Sequence, residues 1–340
     1  MLNKHTMLVF GLAVVVALLL TPGRKLMFNR WFVLAGAIAF AVFLPNLLWE
    51  IGHHFPHIEM LRNINRNGRD VQMNPIVFLL FDVLLANPLA APLWIAGLFA
   101  LLAGSLKRYR AIGLAWFVAY AALIVAQGRF YYLMPAFVIP IAAGAVVVAQ
   151  MKRAIAVAYA ALIAVAGAIL APLAVPVLPP ETYFRYTRAV HIEQPRFEHR
   201  RTTSMPQLFA DRFGWPEMVA AVARAYDSIP PAERANTAIF GNDYGQAGAV
   251  DFYGPCYGLP KAIGGHLSYW LWGPRQYTGE SILVLGDDRE TLEREFEVVV
   301  PMGEIGHPYA MAQEHFTLFW VKKPRGFTLQ SAWPKLKKFQ

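Results

Sequence analysis

Between Met1 and Leu178 the chain carries only four acidic residues, Glu50, Glu59, Asp70 and Asp82, set among long apolar runs. A carboxylate near the middle of a bilayer costs about 3 kcal/mol and is kept only where protein or water can hold it. Acid depletion of this extent therefore marks a region whose solvent is lipid. After Pro179, acids, bases and Gly/Pro turns return at frequencies typical of water-soluble chains. The mean hydropathy of +0.38 averages these two regimes. The expected organisation is an α-helical polytopic membrane domain over residues 1–178 and a small soluble α/β domain over 179–340.

A hydrocarbon core needs roughly 20 apolar residues per helical crossing. The candidates are Met7–Leu20 with its flanks, Trp31–Trp49, Ala111–Gln127, Leu133–Gln150 and Ala154–Val177. Pro75–Leu106 is also apolar but is interrupted by Asp82, Asn87, Pro88 and Pro92. It suits a re-entrant or interfacial helix to Asn87, then a crossing from about Pro92. Basic loops set orientation, and Arg24/Lys25/Arg30, Lys107/Arg108/Arg110 and Lys152/Arg153 belong on the cytoplasmic side. That parity gives about six transmembrane helices plus the re-entrant one. Both Met1 and the C-terminal domain then lie outside, with the loop 51–74 and the turn at Arg129. A signal peptide over the first 20 residues is disfavoured, because the basic cluster follows the apolar run and no small-x-small cleavage site precedes it. The net charge of +9 sits largely in these loops, which argues against nucleic acid. The single cysteine, Cys256, excludes an intramolecular disulfide.

The C-terminal half alternates helix and strand patterns. Helices are expected at Trp215–Ser228, Gly245–Phe252 and Arg289–Phe296, and strands at Thr237–Phe240, Ser281–Leu285, Val298–Val300 and Phe316–Lys322. Gly264, Gly265 and Gly273 frame a loop dense in rings, with His266, Tyr269, Trp270 and Trp272. Such a loop either packs on the membrane half, stacks on a carbohydrate ring or plugs the fold.

Four groups could carry chemistry. Arg129 with Tyr131 and Tyr132 ends a span, where a guanidinium can fork onto a phosphate or snorkel to headgroups. Lys4 precedes the first span and could neutralise a lipid phosphate. Glu50, His53, His54, His57 and Glu59 offer imidazoles and carboxylates to a candidate divalent cation, though their spacing matches no closed metal motif. The ordinary reading of that loop is a headgroup contact. Asp82 lies inside an apolar stretch, where it either serves function or bonds the broken helix.

The short motifs resemble a known family. They are Lys4-His5-Thr6, Pro45-Asn46-Leu47-Leu48-Trp49, Asn87-Pro88, Pro92-Leu93-Trp94 and Gly128-Arg129-x-Tyr131-Tyr132-x-x-Pro135 in the membrane half. Downstream they are Phe209-Ala210-Asp211-Arg212-Phe213-Gly214-Trp215, Asn242-Asp243-Tyr244-Gly245-Gln246-Ala247-Gly248 and Gly265-His266-x-x-Tyr269-Trp270-x-Trp272-Gly273-Pro274. Together they resemble the C-terminal two-thirds of a bacterial glycosyltransferase family 39 protein of the GT-C superfamily, the dolichyl-phosphate-mannose mannosyltransferase and aminoarabinose-transferase kind. The resemblance implies transfer of a sugar from a polyprenyl-phosphate carrier to an extracytoplasmic acceptor, in a bacterial inner membrane. It puts Lys4, Arg129, Tyr131 and Tyr132 at the lipid phosphate. It also implies a catalytic acid in a first extracytoplasmic loop, which no residue here matches by motif, so the chain reads as a truncated transferase. The partners expected are membrane lipids, the lipid-linked sugar, and the missing N-terminal segment or a full-length transferase. The alternatives are a non-catalytic binder of lipid-linked glycan and a transporter, which the lack of paired intramembrane charges disfavours.

Overall fold

The computed structural model describes residues 6–68, 74–192 and 204–339. Lys4, His5 and Asp70 fall outside the described residues. The chain divides into two compact units, one of Met1–Phe55 with Gln72–Glu193, the other of Pro56–Val71 with Gln194–Gln340.

The main helices in chain order are α1 (Met7–Leu19), α2 (Arg30–Gly52), α3 (Pro56–Arg66), α4 (Pro75–Leu85), α5 (Ala91–Leu102), α6 (Arg110–Val125), α7 (Val138–Val148), α8 (Arg153–Ala174), α9 (Pro180–Val190), α10 (Trp215–Ser228), α11 (Tyr244–Tyr253) and α12 (Arg289–Glu295). Among the described residues, four helices are long and apolar enough to cross a membrane: Arg30–Gly52, Lys107–Val125, Phe130–Val148 and Arg153–Ala174. Counting Pro75–Leu85 with Pro88–Leu102 as one bent span makes five. This falls short of the six crossings expected from sequence. The difference lies in α1, whose 13 residues rise only about 20 Å, less than the hydrocarbon thickness. The central window of α2, like that of α8, has no residue buried by protein, so large apolar side chains such as Val33, Phe40 and Leu162 face outward all round. Water would not tolerate that much exposed apolar surface; lipid does, which marks this as a membrane protein.

The break expected at Asn87 is present and sharp. The flanking helices diverge by 99°. Pro88 supplies no N–H and disfavours helical backbone at the residue before it, and Asn87 takes a left-handed conformation with φ of 69°. Its Oδ1 accepts from Leu89 N at 3.1 Å, and its Nδ2 donates to Ile163 O at 2.9 Å, tying the bend to α8. The Tyr159 hydroxyl donates to Leu89 O at 2.8 Å beside it. The Leu89 N–H and C=O at the bend are thus satisfied by the Asn87 side chain and by Tyr159 of α8, as a membrane interior requires.

The tightest pairing in this unit is α5 against α7. A Cβ on Gly97 would lie 1.9 Å from Pro140 O, and one on Gly144 would lie 1.9 Å from Leu93 O. The Leu93/Gly97 pair and the Pro140/Gly144 pair, each spaced by one helical turn, let the two backbones touch.

The second unit holds a four-stranded sheet of β1 (Ala238–Gly241), β2 (Ser281–Leu285), β3 (Phe296–Ile305) and β4 (Phe316–Pro324) in the order β1-β2-β4-β3. β1 and β2 are parallel; β4 pairs antiparallel with both β2 and β3. β1 and β2 are buried on both faces, which is why they read as unbroken apolar runs. One face packs on Met218, Val219 and Val222 of α10 and Ala247 and Val250 of α11. The other covers Leu292 of α12, Leu329 and Trp333. Helix α3 belongs to this unit: Glu59 pairs with Lys337 at 2.6 Å, and Asn63 Nδ2 donates to Phe339 O at 2.7 Å.

Candidate functional site

Arg129 opens the 3-10 stretch Phe130–Phe137 that feeds α7. The turn before it needs Gln127 at φ of 51°, followed by Gly128. Arg129 Nη1 donates to the Tyr131 hydroxyl at 3.0 Å, and the Tyr131 ring meets Tyr132 edge-on at 5.0 Å. All three residues are half-buried, so the structure gathers the three described members of the expected phosphate set. Phe130 points inward, stacking on Phe81 at 5.1 Å and meeting Phe78 edge-on at 6.5 Å. These contacts bring α4, and with it Asp82, against the Arg129 stretch.

Asp82 is fully buried, and neither carboxylate oxygen has a hydrogen-bond partner among the described residues. Tyr120 is near enough to interact with it electrostatically, and Phe78 packs edge-on against Tyr120 at 5.7 Å. The Tyr120 hydroxyl and the indole N–H groups of Trp116 and Trp94 also lack partners among the described residues. Trp116 stacks flat on Tyr120 at 5.3 Å and lies 6.2 Å from Trp94. One acid and three donors thus line a continuous aromatic core with their hydrogen bonds unmade, a departure from the rule that buried polar groups are satisfied. Sequence reasoning singled out Asp82 and missed the other three. A Tyr or Trp in an apolar helix gives no signal until its polar atom is seen to be orphaned. Trp116 also borders an apolar cavity of about 190 Å³ between α1 and α6, lined by Phe10, Ala13, Val14, Leu18 and Ala115 among others.

The candidate divalent-cation set does not assemble. Among the described residues no three His, Cys, Asp or Glu side chains gather to hold a metal. His53 donates from Nδ1 to Trp49 O at 2.8 Å and stacks on the Trp49 ring at 4.3 Å. Glu50 is buried in α2, and Glu59 is taken by Lys337. The chain leaves α2 through left-handed His54 and Phe55, after which His57 and Glu59 belong to the other unit.

The motifs of the second unit are built into its architecture. Trp215 Nε1 donates to Asp211 O at 2.8 Å, and Phe213 stacks on His307 at 5.3 Å. Asp243 caps α11 by accepting from Gly245 N and Gln246 N at 2.7 and 2.9 Å. His266 Nδ1 accepts from Tyr244 N at 3.3 Å, and Lys338 reaches Asn242. In the ring-rich loop, Trp270 and Trp333 exchange indole-to-carbonyl bonds of 2.9 Å, while Trp272 is 59% exposed. The loop is therefore mostly a structural plug, with one indole facing outward.

Tyr269 in that loop donates to Asp251 Oδ2 at 3.1 Å. Burial first, then the Asp251 charge and this bond, push its pKa well above the usual 10.0. A group raised in the folded state contributes stability that is intact below pH 10 and lost as pH climbs through the raised value. Tyr269→Phe is expected to give a shallower loss of stability above pH 10, read by tryptophan fluorescence during alkaline titration; an unchanged slope would remove the assignment.

Comparison with known protein families, with curated proteins and with solved structures finds no match.

Proposed function

We propose that the chain is a membrane glycosyltransferase-like protein that handles a polyprenyl-phosphate-linked sugar at the extracytoplasmic face of a bacterial inner membrane. The observation that carries this reading is the Arg129–Tyr131 pair between two spans, a guanidinium fixed by a phenol where a lipid phosphate would lie. A planar fork of donors suits phosphate oxygens, and an apolar cavity in the same unit suits part of an isoprenoid chain. Lys4 would add a second cation, and Tyr132 a further hydroxyl. If α1 crosses with the help of its apolar flanks, it and the bent pair would bring the count to six, and the charge rule would then put Arg129 and the C-terminal unit outside and the three basic loops inside.

Transfer would break the bond from the sugar's anomeric carbon to phosphate and form one to an acceptor oxygen or nitrogen. The proton would go to a base and the phosphate would leave as an anion held by Arg129. A second reading, a non-catalytic binder of lipid-linked glycan or partner of a full-length transferase, is favoured by the state of the acids among the described residues of the first 178 positions. Glu59 is paired, and Glu50 and Asp82 are buried.

The test is retention of polyprenyl phosphate by the purified chain, together with label transfer from a polyprenyl-phosphate sugar in membranes containing it. Arg129→Ala is expected to weaken retention about tenfold or more, the usual effect of losing a charged hydrogen bond. Equal retention by parent and variant would remove the phosphate role. Retention without transfer would select the second reading.

A further inference from the structure

Helix α3 presents an outward face that the described residues of its own unit leave uncovered. Ile58, Leu61, Arg62 and Asn65, spaced at i, i+3, i+4 and i+7, are all exposed, as is Arg66. The opposite side, through Pro56, Glu59, Met60, Asn63 and Ile64, is buried or half-buried, and holds the Lys337 ion pair and the Phe339 bond. The outward face thus combines two large aliphatic side chains with two arginines. The one acid of the helix, Glu59, points away from it.

Chain connectivity says what this face can reach. α2 has 23 residues and rises about 35 Å, just enough for the hydrocarbon core, so Gly52 emerges at the membrane surface. Trp49, stacked with His53 and 43% exposed, sits where interfacial aromatic rings belong. From Gly52 to Pro56 there are four peptide links, at most about 14 Å of extended chain.

We infer that α3 is a membrane-surface helix whose Ile58, Leu61, Arg62 and Arg66 rest on the anionic phospholipid headgroups of the bilayer that α2 crosses. Aliphatic side chains enter the headgroup boundary while guanidinium groups pair with lipid phosphate. Because α3 is fastened to Lys337 and Phe339, this contact anchors the soluble unit as well as the loop.

The test uses the full chain in vesicles, with Cys256→Ser removing the native thiol. Leu61→Cys carries an environment-sensitive fluorophore, and Glu290→Cys, on exposed α12, is the reference. In phosphatidylglycerol-containing vesicles, quenching by shallow spin-labelled lipid is expected to be stronger at position 61 than at 290. It should weaken in pure phosphatidylcholine. Arg62→Gln and Arg66→Gln should each lower the docked population about fivefold, the effect of one basic residue at an anionic surface. Arg62→Lys with Arg66→Lys should restore it, separating charge from folding. Quenching at 61 no greater than at 290, or unaffected by lipid charge or by the glutamine variants, overturns the inference.

Discussion

Gly144→Ala is expected to lower the stability of the membrane unit by about 3 kcal/mol, or roughly 10 °C in midpoint. The added methyl would stand 1.9 Å from Leu93 O and 3.1 Å from Leu93 Cγ. A carbonyl of a packed helix cannot rotate aside, so α5 and α7 must separate and lose their shared contact. Gly97→Ala meets Pro140 O at the same 1.9 Å and should behave alike. Gly36→Ala in α2 is the control, since nothing lies within 4 Å of its added methyl. Thermal unfolding of the detergent-solubilised full chain would check this, and a Gly144→Ala midpoint equal to that of the parent would sink the claim. In lipid the hydrophobic effect does not draw helices together, so loss of close backbone packing has little to offset it.

Asp82→Ala is expected to act in the opposite direction, raising stability by about 1–3 kcal/mol. The carboxyl is fully buried with both oxygens unpartnered among the described residues, so the parent bears its desolvation. Asp82→Asn keeps an unpartnered polar group and should gain less than the alanine variant. The same unfolding measurement decides: an alanine variant less stable than the parent would mean that the acid is held by a favourable interaction. A gain would show that the chain carries Asp82 at the expense of stability, the pattern of a residue kept for function.

How much was legible from sequence differs by element. Trp215–Ser228 and Ser281–Leu285 appear at their expected bounds, because an amphipathic period with Pro216 in the first turn, and an apolar β-branched run, are local signals. The Asn87 break was equally local, since Pro88 fixes it wherever the helix sits. The metal set failed because proximity in sequence is not proximity of side chains. His53 turns back on Trp49, and Glu59 finds Lys337 at a separation of 278 positions. The ring-rich loop left a packing surface, a carbohydrate platform and a structural plug open, and the bonds of Tyr269 and Trp270 inside the unit favour the plug, with Trp272 facing out.

The sequence by itself determined that the long apolar helices lie within the first 178 residues, that this stretch breaks at Asn87, and that the strands of the sheet follow it. Each of these follows from side-chain chemistry within a few residues. The expected boundary at 178 differs from the observed units, which place α3 with the second and α9 with the first. Only the tertiary structure decided that α3 joins the C-terminal unit, that Gly97 and Gly144 carry the α5–α7 contact, and that Tyr120 lies near Asp82 with Trp116 stacked on it and Trp94 beyond, all with hydrogen bonds unmade among the described residues. Those facts depend on which distant backbone or ring fills the space beside a residue, and packing of that kind leaves no periodic trace in one chain.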